Sequence, residues 1–420
     1  MKKNRSFGGR LSATLVQALT LSSLCLCASA VNLFAQNWKT VADGVEQAQV
    51  RREFSGKTVD INLLRLDLKK VRLDVHHALD KAIGLETTSS IAKRKGAIAA
   101  INGGFFRLDK SEFAGDAAGI LQIDGEMISE SANERTAWLI CNDCAFGALQ
   151  NLASNLRRKG KTERINYTET LFGHLRSSVF LTSRGERIPV SGMNRARKAD
   201  ELVVYTPAFG PRTLTSTPGL EVVVKNKKIV EVRDSFSNSK IPSNGYVITA
   251  TGPTAASLRD KISLRARVWL SSELSYTTYS PDKSMVGQQY IWNVEDITNG
   301  VPQLIKNGKI DITWEQEKAS KSFVETRHPR TAVAKLKDGK FLMLTADGRS
   351  EASAGLGLYD LAKYMLELGA VDAMNLNGGG STTMFLEGKV VNRPSDKEGE
   401  RKIGDAILVT LRTPPSKKKK

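Results

Sequence analysis

"RHPRTAVAKLKDGKFLMLTADGR", residues Arg327 to Arg349, reads as two apolar strands around a turn. "TAVAKL" and "FLMLTA" are short apolar runs, and Asp338-Gly339 between them is a hairpin signal. Pairing outward from that turn sets Thr331 opposite Ala346 and places Arg330 beside Asp347. The motifs "RHPR" and "DGR" then reach the same end of one sheet.

The next segment extends the pattern. In "LGLYDLAKYMLELG", Leu358, Leu361, Ala362 and Met365 keep helical spacing, and Gly369 is the stop. "AVDAMNL" follows as a strand. Strand, helix and strand in that order predict a right-handed crossover joining two parallel strands. Asp347 and Asn377 then stand at the carboxyl ends of those strands, where α/β sheets present ligand sites.

"MNLNGGGSTTMF", Met374 to Phe385, puts three glycines at that end, between Asn377 and the hydroxyls of Ser381, Thr382 and Thr383. Glycine lets a ligand approach the main chain closely, although the same bareness suits a plain turn. Two neighbours favour the ligand loop. "MFL" and "KVV" around Glu387-Gly388 form a second hairpin that returns Asn392 to Asp396 toward the glycines, and the strand "GAIAAIN" ends in "NGGFF" (Asn102–Phe106).

Elsewhere "TVDINLLRLDL" and "VRLDVHHAL" alternate as strands, and His76 and His77 read as ordinary edge-strand residues. Many short strands follow "ELVVYTPAFG". The fold class is α+β: a strand-rich mixed sheet with hairpins and at least one right-handed strand-helix-strand crossover near the C-terminus. The chain divides into a leader (1–35), a strand-rich segment (36–95), a main domain (96–412) with a basic insertion at about 150–200, and a basic tail (413–420).

A chain of 420 residues with 40% hydrophobic and 25% charged residues is globular, not disordered or fibrous. Lys2, Lys3, Arg5 and Arg10 precede an uncharged run from Leu11 to Trp38 containing "ASA" at Ala28–Ala30, the pattern of a secretory signal cut after Ala30 or Ala35. The run is long enough for an uncleaved anchor, but its many polar residues weigh against one. The expected location is secreted or periplasmic. Cys25 and Cys27 leave with the leader, so Cys141 and Cys144 are expected to form a local disulfide. The net charge of +18 favours anionic partners, including an anionic cell envelope. Aromatic content of 6% without a basic–aromatic platform argues against nucleic acid.

Six motifs, "NGGFF", "RHPRTAVA", "TADGR", "NLNGGGSTTMF", "NRPSD" and the following "ER", resemble the phosphodiester glycosidase family in sequence order. The resemblance runs from about residue 95 to 412 and departs at Asn377, where the family usually carries aspartate. It implies hydrolysis of a sugar-1-phosphate diester at the anomeric carbon, with a phosphorylated glycan as partner. The leaving phosphomonoester has a second pKa near about 6 and needs little acid assistance. Cations and N–H donors suit the departing charge.

The resemblance and the residue chemistry assign Asp347, Asp396 and Arg330 as catalytic residues. Substrate-binding candidates are Asn102, Gly103, Gly104, Phe105, Arg327, Arg349, Asn375, Asn377, Gly378, Gly379, Gly380, Ser381, Thr382 and Arg401. Arginine forks match phosphate oxygens, the glycine loop amides suit an anion nest, and Phe105 would stack on a sugar held by Asn102. His328 reads as solvent-facing. No cofactor is required; aspartate and asparagine at strand ends are compatible with a structural calcium ion. The competing reading is a non-catalytic envelope protein that binds anionic phosphoglycan, favoured by Asn377.

Overall fold

The computed structural model describes residues 36–143, 167–279, 285–291 and 294–412. Contacts divide the chain into Met1–Trp38 and a compact unit, Lys39–Lys420. The leader, Cys144, the first part of the basic stretch (through residue 166) and the tail from residue 413 lie outside the described residues.

Lys39–Lys420 is strand-rich, with several antiparallel sheets and few helices. One eight-stranded sheet runs Lys39–Ala42, Val45–Phe54, Lys57–Leu66, Phe341–Ala346, Arg330–Leu336, Ala370–Asn375, Gln303–Lys306 and Lys309–Ile310. Residues 39–66 therefore extend the very sheet that holds the hairpin, with Ile61 opposite Ala346. Alternating "TVDINLLRL" suits that place, because a strand inside a layered sheet buries at least one face.

The hairpin forms with a register one residue away from the expected one: Arg330, not Thr331, faces Ala346. The cause is the turn. Gly339 N donates to Leu336 O (3.0 Å) and Leu336 N to Lys340 O (2.9 Å), so the loop contains Lys337, Asp338 and Gly339. Gly339 takes φ +81°, the left-handed residue of a three-residue loop, where two loop residues were expected. Arg330 thus shares a face with Ala346, while alternation sends Asp347 the other way.

The crossover geometry also needs correction. Phe341–Ala346 and Ala370–Asn375 are each antiparallel to Arg330–Leu336, which lies between them. The two strands share a direction without being neighbours, and Asp347 and Asn377 still follow their carboxyl ends. Between them in sequence, helix Leu358–Glu367 buries Leu358, Leu361, Ala362, Tyr364 and Met365. Gly369, at φ +91°, closes it in the left-handed conformation that glycine adopts at least cost.

A five-stranded sheet carries the other half of the site. Ala99–Asn102 lies between Met384–Leu386 and Asp405–Leu411, with Val71–His77 beyond. Phe385 faces Val390 and Leu386 faces Lys389, so the Glu387-Gly388 hairpin forms as read. A second eight-stranded sheet includes Thr168–Ser183, a strand of 16 residues, paired with Thr136–Asn142 and Val268–Tyr279. The later part of the basic stretch is thus regular strand where its sequence shows no steady period.

The two eight-stranded sheets meet through aromatic stacking. Trp138 lies 4.6 Å from Phe341 at an interplanar angle of 10°, and Phe172 flanks both rings. All three are buried. Truncating a buried indole removes both transfer free energy and packing. Trp138→Ala is expected to lower stability by about 3–5 kcal/mol, measured by urea unfolding; a loss below about 1 kcal/mol would show that this stack does not join the sheets energetically.

Candidate functional site

Two glycine loops are laced together at the ends of these sheets. Asn102 Nδ2 donates to Asn377 O (2.6 Å), while Asn102 Oδ1 accepts from Thr331 Oγ1 (2.8 Å) and Thr383 N (3.1 Å). Asn377 N donates in turn to Gly103 O (3.2 Å). Asn102 is 1% exposed, so its side chain is a strut between three chain segments, not the sugar-holding group expected from its motif.

Asp405 explains the bareness of "NGG". Its carboxylate accepts from Gly104 N (3.1 Å to each oxygen) and from Thr298 Oγ1 (2.9 Å). A Cβ on Gly103 would lie 2.1 Å from Asp405 Oδ2, and one on Gly104 would lie 2.6 Å from Asn299 Nδ2. These glycines are required by space. Asp405 is buried, and that burial pushes its carboxyl pKa up. Sequence reasoning passed over it; the available signal was one acid heading the apolar run "DAILV". Phe105 donates its N–H to Asn299 Oδ1 (3.0 Å), and its ring meets Phe323 edge-on at 6.1 Å.

Each glycine of the triple abuts a different neighbour. A Cβ on Gly378 would approach Pro329 O (2.7 Å), one on Gly379 would approach Arg349 Nη2 (3.0 Å), and one on Gly380 would collide with Arg401 Nη2 and Asp396 Oδ1 (2.2 Å each). Gly379 N donates to Pro329 O, Ser381 N to Gly378 O and Thr382 N to Gly379 O. The Gly379, Ser381 and Thr382 amides are therefore already bonded within the protein, Gly379 being one of the three glycine amides expected in an anion nest. Asn377 Nδ2 donates to Ser381 Oγ (3.2 Å), closing the loop. Asn375 is fully buried and donates to Val301 O (2.7 Å) and Leu376 O (2.8 Å), so it supports the loop from beneath.

The arginines divide into two kinds. Arg330 is 1% exposed, and its guanidinium donates to Leu356 O (2.9 Å), Phe323 O (2.7 Å) and Thr326 O (2.9 Å). Burial, with Arg349 adding repulsion, pushes its pKa down to about 10. Arg330 therefore anchors the segment before the helix, because the register turned its side chain to that face. Arg349 is exposed beside Gly379 and holds a left-handed backbone at φ +62°, a strained conformation of the kind found at functional sites. Arg401 clamps Asp396 in a two-pronged pair, Nε to Oδ2 2.6 Å and Nη2 to Oδ1 2.9 Å. Arg327 lies 3.6 Å from Asp360, and its Nε and Nη2 are buried without a hydrogen-bond partner.

Asp347 is 7% exposed and accepts from Arg393 N (3.1 Å to each oxygen) and Asn392 Nδ2 (3.2 Å). Burial pushes its carboxyl up, against those donors. Asn392 Nδ2 also reaches Thr382 O (3.1 Å), joining Asp347 to the glycine loop through one side chain. The return of "NRPSD" to the glycines, expected from the second hairpin, is thus observed. His328 is half-buried rather than solvent-facing, and burial followed by Arg330 and Arg349 lowers its pKa.

The structure thus gathers Arg349, Arg401, Asp396 and, through Asn392, Asp347 around the glycine loop, with Arg330 behind it. Among the described residues, no group of three or more His, Cys, Asp or Glu side chains is arranged to hold a metal ion. Arg330→Lys, which loses the planar fork, is expected to cost about 2–4 kcal/mol in urea unfolding, whereas Arg349→Lys should stay within about 0.5 kcal/mol. Equal losses would contradict this division.

Residues 218–410 match the family model described as phosphodiester glycosidase. Over 110 residues the chain is 37% identical to the mouse (Mus musculus) N-acetylglucosamine-1-phosphodiester alpha-N-acetylglucosaminidase, covering 24% of this chain and 21% of that protein. It is 37% identical over 120 residues to an SPbeta prophage-derived protein of Bacillus subtilis, covering 29% of this chain and 16% of that one. The chain therefore spans about a fifth or less of the length of these curated relatives. In fold it is similar to a hypothetical protein from Synechocystis, with a TM-score of 0.70 at 22% identity over 91% of this chain and 64% of that chain. Residues 218–410, which contain the triple-glycine loop and its arginines, are thus similar to the phosphodiester glycosidase family.

Proposed function

We propose that this protein hydrolyses a sugar-1-phosphate diester at the anomeric carbon, with N-acetylglucosamine-1-phosphodiester-like linkages of an envelope or extracellular polysaccharide as substrate class. The observation that carries the reading is the placement of Arg349 against Gly379 and of Arg401 against Gly380, with the buried carboxyl of Asp347 tied to the same loop through Asn392. Arg349 and Arg401 receive the phosphate, since guanidinium donors match its oxygens and stabilise the departing charge. Asp347 supplies the carboxyl near the sugar, as electrostatic stabiliser or as base for water. Burial raises its carboxyl pKa above the ordinary carboxylate value, against the N–H donors of Arg393 and Asn392. Asp396 fixes the angle of Arg401, and Arg330 holds the segment from which Arg327 and His328 project.

A second reading, a non-catalytic binder of anionic phosphoglycan, draws on Asn377, which stands where the family usually has a carboxylate. Its amide already bonds Ser381, so an orienting role needs no charge. A turnover assay on a panel of sugar-1-phosphate diesters, following free sugar and phosphomonoester, decides between the readings. Wild type should turn over at least one diester, and Asp347→Asn should lower kcat by about 10²–10⁴-fold. Asn377→Asp should change kcat only modestly, because the good leaving group lowers the demand for acid catalysis. A gain of about a hundredfold or more on Asn377→Asp, or no turnover by wild type, would favour the binder.

Export belongs to the same reading. The basic, apolar and small-residue order of the first 35 residues supports it, while Cys144 of the expected Cys141–Cys144 bond lies outside the described residues. N-terminal sequencing of exported material should begin at Val31 or Gln36; a retained Met1 would refute cleavage.

A further inference from the structure

A cleft of about 570 Å³ opens at the turn end of the same hairpin, away from the glycine loop. It is lined by Lys335 and the Asp338–Lys340 turn, by the Asp67–Lys69 turn, by Tyr167 to Leu171, and by Tyr276 and Tyr290. Arg330 and Asp347 sit at the opposite end of the hairpin strands, roughly 20 Å away at about 3.3 Å per residue. This volume lies within the range of small-ligand sites, about 300–1,000 Å³.

We propose that this cleft binds a segment of an anionic oligosaccharide, independently of the chemistry at the glycine loop. Three tyrosines line it, and Tyr290 is 51% exposed. A tyrosine ring offers an apolar face with a polar tip, which fits a pyranose that has one C–H face and a rim of hydroxyls.

The charges in the cleft are unequal in availability. Asp67 Oδ1 accepts from Lys69 N (3.0 Å), Asp338 Oδ1 from Lys340 N (3.0 Å), and Glu169 Oε1 from Tyr167 Oη (2.9 Å). One oxygen of each acid is thus oriented by a turn N–H or by a tyrosine, the carboxylate charge remaining. Lys340 pairs with Glu46 at 2.8 Å, while Lys69 and Lys335 make no ion pair among the described residues. Two ammonium groups without an ion pair, lining the same cleft as the tyrosines, favour a sugar that carries carboxylate or phosphate. The chain's +18 net charge adds a favourable field for the same partner.

The test is calorimetric titration of the full chain with tetragalacturonate, beside neutral chitotetraose and hexaglutamate peptide. Wild type should bind tetragalacturonate saturably and bind both controls at least about tenfold more weakly. The Tyr290→Ala/Lys335→Ala double variant should raise Kd by about tenfold or more with an unchanged melting temperature, since both side chains are exposed. Asp347→Asn should leave Kd unchanged, which separates this site from the proposed catalytic one. Absent binding, binding indifferent to the double variant, or equal binding of either control would overturn the proposal. An inactive protein that still binds through the cleft would refute the hydrolase reading alone.

Discussion

The side chain of Asn102 is the constraint on which the site depends. One amide bonds Thr331 on the hairpin, Thr383 after the glycine loop and the carbonyl of Asn377 at its start. Each of these groups lies more than 200 residues from Asn102 in sequence. A buried amide whose donor and acceptor both have partners leaves no desolvation penalty outstanding, and it aligns the carbonyls and N–H groups around it. Asp405 does the corresponding work on the other loop by accepting the Gly104 amide. The two glycine motifs are bare for different reasons. Gly103 and Gly104 leave room for Asp405 and Asn299 beneath, and Gly379 and Gly380 leave room for Arg349 and Arg401 above.

Burial divides the arginines by role. Arg330 spends its fork on backbone carbonyls, where a cation satisfied by several acceptors stiffens the chain entering the helix. Arg349 remains exposed, and Arg401 is half-buried against one carboxylate. Burial, with Arg349 adding repulsion, lowers the pKa values of Arg330 and His328.

The sequence by itself determined the local elements around the site and that its motifs meet. Helical spacing from Leu358 to Met365 with Gly369 as stop and the Glu387-Gly388 hairpin rest on contacts a few residues apart. Such contacts are legible from periodicity and turn chemistry. Tertiary structure decided what those elements stand beside. It inserted Arg330–Leu336 between the two like-directed strands, joined Lys57–Leu66 to the hairpin, and brought Asp405 under Gly103. It also chose a three-residue loop at Gly339, and since side chains alternate with a period of two, that one residue turned Arg330 inward and left Arg349 as the exposed arginine beside Gly379.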